Sequence, residues 1–279
     1  MSSVRCMMNH FRKWRRSPRI WMVFLIMMTY CTPYFTTTIR QFCQDYQVSC
    51  AGWLLPLALT AQNRRLWIML LPVLLFCDAP FLDEQQPFLI VRTGRLRWGI
   101  GQLLYIFAAS AVFYIVSFLI MALMMLPCLE FTMDWGKVIR TLTQGYIAQS
   151  YQMDPLPETV VLQYTPLQAT LLCGASVWVA VSLTGLLMFL CNLWARKEVG
   201  IVLAGAFVGL SSLVERLGWF PGRYISPVSW VNIKDIGLGT DWSPSWTYVF
   251  AVGFLLIAAL SAAILLSVRR KSIDVIRKV

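Results

Sequence analysis

Gly99–Leu126 reads GIGQLLYIFAASAVFYIVSFLIMALMML, 28 residues without an acidic or basic side chain. As a helix rising 1.5 Å per residue it would measure about 42 Å, longer than the roughly 30 Å hydrocarbon core of a bilayer. Such a run belongs either in a very large soluble core or in lipid. Composition decides between them. Apolar residues make up 58% of the 279 and charged residues 13%, about half the charged share of a soluble domain.

Five further runs flank it: Ile20–Thr38, Leu66–Leu82 (with Pro72 and Asp78 inside it), Leu167–Trp194, Val199–Leu217 and Trp246–Val268. The sequence therefore predicts an all-α polytopic membrane protein, a single transmembrane domain over 1–279 with six transmembrane helices. Pro72 predicts a bend in the second. Ala51–Ala61 (AGWLLPLALTA) is apolar but spans only about 17 Å as a helix, too short to cross. It reads as an interfacial or re-entrant piece, with an extra crossing as the alternative.

The net charge of +11 would suit a nucleic-acid binder if it were clustered on a folded surface. Here the cations sit in short segments between uncharged runs, which is a topology signal and gives no reason to expect nucleic acid. With the N-terminus inside, segments 1–19, 83–98, 195–198 and 269–279 hold 16 of the 24 Lys and Arg residues. The positive-inside rule then places both termini in the cytoplasm and the protein in the cell membrane. The outer loops 127–166 and 218–245 are rich in Trp, Tyr and Pro, which either form a belt at headgroup level or fill the packing of the loops. The far end of the first run lacks a small-x-small cleavage site, so it reads as a retained span.

Cys31, Cys77, Cys173 and Cys191 fall within spans and count as small apolar residues. Cys43 and Cys50 share the first outer loop and could form a disulfide, which spacing alone does not establish. The single histidine, His10, lies in the basic N-terminal segment and no Cys-x-x-Cys occurs, so neither a metal nor any other cofactor is expected on this chain. A G-x-x-x-x-G-K-[ST] phosphate loop, H-E-x-x-H and G-x-S-x-G are all absent, and the spans offer no carboxylate pair for proteolysis. The intramembrane ionisable residues are Asp78 and Glu215, both near span ends; Gln102, Thr184 and Asn192 read as interhelical hydrogen-bond partners. An autonomous enzyme or pump is not expected.

The inner connection between the second and third runs, Asp78–Gln102, reads DAPFLDEQQPFLIVRTGRLRWGIGQ. Acidic and polar residues (Asp83, Glu84, Gln85, Gln86) precede an apolar stretch, Phe88–Val91, and then Arg92, Arg95 and Arg97 surround Gly94. This order suits a short helix presented to a cytoplasmic partner, with Arg and Trp98 anchoring its end at the headgroups. At the N-terminus Met7, Met8, Phe11 and Trp14 recur at helical spacing among Arg12, Lys13, Arg15 and Arg16, as in a helix lying on the inner leaflet. Phe11, Trp14, Arg15, Arg16 and Trp98 are thus the expected membrane anchors.

Glu84, Val91-Arg-Thr-Gly-Arg95 and Trp98, together with Asp78-Ala-Pro-Phe81, Gln102 and Tyr105, resemble the coupling region of permease subunits of type-2 ATP-binding-cassette exporters. In architecture the resemblance covers the whole chain, but its specific residues lie only at about 78–105. It implies an inner-leaflet helix before the first span and short re-entrant helices in 218–245. It also implies a path lined by the first, second and fifth spans, and separate cytoplasmic ATPase subunits that carry ATP and Mg. Asp83, Glu84, Gln85, Arg92, Thr93, Gly94 and Arg95 would dock those ATPases. A second permease, identical or related, and membrane lipid would complete the assembly; Gly205 and Gly209 in the fifth span permit close helix approach, as ordinary bundle packing also does. The 127–166 loop and the 51–61 segment depart from the superfamily pattern. A membrane scaffold or sensor subunit that transports nothing is the competing expectation.

Overall fold

The computed structural model describes residues 3–79, 90, 94–237, 239 and 242–270. In chain order the helices are α1 (Ser3–Trp14), α2 (Pro18–Ile26), α3 (Pro33–Asp45), α4 (Leu54–Ala58), α5 (Gln62–Phe76), α6 (Arg95–Met124), α7 (Gly136–Leu142), α8 (Gly145–Ser150), α9 (Glu158–Gln163), α10 (Pro166–Trp194), α11 (Lys197–Arg216), α12 (Gly222–Ile225) and α13 (Trp246–Arg270). The strand content among the described residues is one parallel two-residue bridge, β1 (Cys50–Ala51) on β2 (Leu129–Glu130). The all-α expectation holds.

Four helices, α6, α10, α11 and α13, are long and apolar enough to cross a bilayer, and α2 with α3 makes a fifth if that bent pair is one span. The pair bends by 45° because Pro33 has no N–H to donate and its ring clashes with the preceding turn. The helix relaxes there into a π-turn, Met27–Cys31, with Thr32 N–H and hydroxyl both donating to the Met27 carbonyl at 3.1 and 3.0 Å. The expected second span, Leu66–Leu82, is realised as α5, only 15 residues or about 22 Å, and falls short of that length. It starts earlier than expected and continues through Pro72.

The bundle encloses a few small polar side chains in an apolar core and also presents a wide apolar surface, unlike a soluble domain. Ile115, Leu119 and Leu123 of α6, Val202 of α11 and Leu255 of α13 are exposed. Ser110, Ser117 and Thr184 are buried, their hydroxyls donating to the carbonyls of Ile106, Phe113 and Ala180 one turn earlier. An exposed apolar jacket of this extent belongs in lipid.

At the centre is α10, two-thirds of its apolar stretch buried against one-third for α6 and α11, and it packs on α5, α6, α11 and α13. Thr165-Pro-Leu-Gln168 starts it with a reciprocal capping box (3.3 and 3.1 Å) and proline in the first turn. Asn192, near its far end, donates to the carbonyls of Ala79 and Cys77 at 2.6 and 3.4 Å, so it does join helices as expected. Thr184 bonds only within its own helix, and the buried Gln102 amide finds no partner among the described residues.

Two expectations are corrected. Trp98 is fully buried at the start of α6, edge-on to Phe189 at 6.3 Å, so its ring packs on protein and is not the exposed anchor expected. The 51–61 segment does not lie on a surface: Leu54, Leu55, Leu57 and Ala58 are all fully buried, and α4 packs on α6 and α10. Five helical residues also exclude an extra crossing.

Helix α1 docks on α6. A Cβ at Gly101 would stand 2.7 Å from the Cys6 Cβ, so only glycine admits this approach. Trp14 Nε1 donates to Tyr105 Oη at 2.8 Å and Phe11 meets the Tyr105 ring edge-on at 5.3 Å. Both anchor candidates thus pack partly on protein, while Arg15 and Arg16 are exposed.

Candidate functional site

The charged residues of the bundle gather at its two ends. At the end bearing α1, Arg19 pairs with Asp78. At the opposite end α5 is tied to α11. Gln62 Nε2 donates to the Ser212 carbonyl at 2.9 Å, and Arg65, 1% exposed, pairs with Glu215, 13% exposed. Arg65 also donates to the carbonyls of Leu59 and Thr60 at 3.2 and 3.4 Å. The pair thereby fixes the turn that reverses the chain between α4 and α5. A guanidinium this deeply buried is stable only with its charge and donors satisfied.

A cavity of about 870 Å³ opens above this pair. Its walls come from the break in the first span (Tyr30, Tyr34), the start of α5 (Asn63, Arg64, Trp67), the 154–159 loop and Lys234. Arg64 is held in place by two contacts: its Nε donates to the Ala58 carbonyl at 3.2 Å, and its guanidinium lies 4.5 Å over the Phe35 ring. The loop wall is equally built. Leu156 N–H donates to the Leu142 carbonyl at 3.1 Å, and Tyr151 Oη donates to Asp45 at 2.8 Å, fastening the 127–166 loop to α3. That loop is therefore a folded layer in which Trp135, Ile139 and Leu142 are buried.

Below the cavity runs an apolar groove of about 370 Å³, lined by Ile26, Trp67, Leu70, Leu74, Ile201 and Gly205 among others. Cys31 and Trp67 border both spaces, and Tyr30 meets Trp67 edge-on at 5.5 Å at their junction. Both volumes lie in the range of ligand pockets. Charged side chains line the chamber, apolar ones line the groove, and the Tyr30–Trp67 pair stands where the two meet.

The chain matches no protein-family model, no curated protein and no solved structure. The resemblance to exporter permeases thus rests on residues 78–105 and on architecture.

Of the expected docking residues, Asp83, Glu84, Gln85, Arg92 and Thr93 lie outside the described residues. Gly94 precedes α6 with a positive φ of 83° and Arg95 is the first residue of α6. Cys43 and Cys50 are buried neighbours with unbonded thiols, and a third, Cys128, joins them. The hydrogen bond that Cys50 donates to Cys43, then burial, holds the Cys50 thiol far above its ordinary range. Burial and then Cys43 raise Cys128. The 218–245 loop does form short helical turns, α12 and the 3₁₀ turns Ser229–Val231 and Ile233–Asp235. Trp230 and Ile233 are buried, and Arg223 pairs with Asp235 at 3.4 Å.

Sequence reasoning missed the cavity. Its one local signal is Asn63-Arg64-Arg65, a polar and charged triplet between two apolar stretches. Asp154, Glu158 and Lys234 are distant in sequence and carry no pattern of their own.

Proposed function

We propose that this chain is the transmembrane subunit of an ATP-driven exporter of the type-2 ATP-binding-cassette kind, in a bacterial cell membrane. In this reading α5 is a short sixth crossing, both termini are cytoplasmic, and α1 rests at the inner leaflet. The turns of 218–245 dip back from the outer face. Separate ATPase subunits, holding ATP and Mg, dock on 83–95. The observation that supports it best is the cavity bordering, at Cys31 and Trp67, a groove between the first, second and fifth spans. The groove reaches α11 at Gly205, where a Cβ, like one on Gly209 a turn later, would meet nothing within 4 Å. Among the described residues nothing packs against these two glycines, and a second permease would close the groove into a path.

The test is co-purification combined with vesicle transport. An ATPase bound through 83–95 and ATP-dependent efflux are expected, both reduced by Glu84→Ala and Arg95→Ala. If both substitutions leave association and efflux intact, the docking proposal fails. Stable partners without any ATPase would instead favour a membrane scaffold. Efflux that follows an ion gradient without ATP would indicate a secondary transporter.

A further inference from the structure

We infer that the cavity and groove together form a binding site for a zwitterionic phospholipid, with the phosphoammonium headgroup in the cavity and an acyl chain in the groove. The charges argue for the headgroup. Arg64 and Lys234 face the chamber from one side of the charge balance and Asp154 and Glu158 from the other, while Glu215 is already met by Arg65. Two cations against two carboxylates select neither a net anion nor a net cation; they complement a ligand bearing one charge of each sign. Arg64 supplies phosphate donors from a guanidinium positioned by Ala58 and Phe35.

The groove argues for lipid over a free headgroup. It is almost wholly apolar, borders the chamber at Cys31 and Trp67, which line both, and reaches α11 at Gly205. A soluble zwitterion would leave it empty. Tyr30, Tyr34 and Trp67 are themselves exposed and stand at the level where a glycerol backbone would sit, as interfacial aromatics do. Transport of this lipid rests on the exporter reading, whereas binding it does not.

The test uses the purified full chain in detergent, without ATP or ATPase, and reads lipid retention by native mass spectrometry. Phosphatidylethanolamine should be retained over phosphatidylglycerol of the same chains by about tenfold. Asp154→Asn with Glu158→Gln should shift that preference toward phosphatidylglycerol. Gly205→Phe should expel the diacyl lipid by filling the groove. Equal retention of the two lipids by the unaltered protein, which needs no variant to fold, would overturn the proposal. So would binding of free phosphoethanolamine as tight as that of the whole lipid. Loss of ATPase docking in the earlier experiment would leave this result standing, and a failure here would leave docking standing.

Discussion

Arg65 and Glu215, 150 residues apart, form an ion pair that is almost completely withdrawn from solvent where α5 meets α11. Its Glu215 lines the cavity, and its Arg65, through the carbonyls of Leu59 and Thr60, fixes the turn from α4 into α5. The pair and the turn depend on one guanidinium. Its burial makes each single substitution costly, because the surviving charge has nowhere to go.

Glu215→Ala should therefore destabilise the protein by about 3–5 kcal/mol, measured as thermal unfolding in detergent. Arg65→Met with Glu215→Leu should restore most of the loss, since no charge is then stranded. A double variant no more stable than the single one would show that the pair acts through its contacts to the turn and not through its charge.

The pair at the other end should behave differently. Arg19 and Asp78 are 27% and 53% exposed, so solvent screens them, and Asp78→Asn should cost under about 1 kcal/mol. A cost equal to that of Glu215→Ala would mean that lipid or partner protein excludes water from this end.

Two glycines of α11 make a controlled comparison. A Cβ on Gly200 would fall 1.8 Å from Asn192 Oδ1, displacing the amide that donates to Ala79 at 2.6 Å. Gly200→Ala should cost about 1–3 kcal/mol through overpacking, while Gly205→Ala, with open space around it, should leave the isolated chain unchanged or raise its stability by up to about 1 kcal/mol. Equal effects would contradict the packing described at the Asn192 junction.

Cys43 interacts with both Cys50 and Cys128, so if this end faces an oxidising compartment a single disulfide should form, always with Cys43 as one partner. Peptide mapping should find it joined to Cys50, and to Cys128 in Cys50→Ser. Closing the 43–50 loop should stabilise the protein by about 2–3 kcal/mol. Complete alkylation of all three thiols in protein isolated from the oxidising side would exclude the bond.

Gly101→Leu should push α1 off α6, because even a Cβ there stands 2.7 Å from Cys6 and 3.0 Å from the Ser3 carbonyl. The buried Cys6 should then react with maleimide, whereas Tyr105→Phe, which removes the acceptor for Trp14 and keeps the ring, should cost about 1 kcal/mol and leave Cys6 protected. A Cys6 as unreactive in Gly101→Leu as in the parent would mean that α1 tolerates a shifted seat.

Apolar run length located four of the helices to within a few residues, and their burden of exposed Leu, Ile and Val follows from the same property. Run length is a local quantity, summed along the chain, and the cost of exposing a peptide group in lipid makes it decisive. It could not show that the first span breaks into a π-turn ahead of Pro33, nor that α5 stops at 15 residues. Trp98 shows the limit most clearly. A tryptophan beside arginines at a span end has the local signature of an interfacial anchor, yet Phe189, 91 positions later, encloses it.

By itself, then, the sequence determined that this is a helical membrane protein with its cations gathered in short connections, because transfer between water and lipid is decided residue by residue. Only the tertiary structure decided that Arg64, Asp154, Glu158 and Lys234 share one chamber above a buried Arg65–Glu215 pair. That juxtaposition depends on how five helices and two loops pack, and no local pattern records which charges will meet across 150 residues.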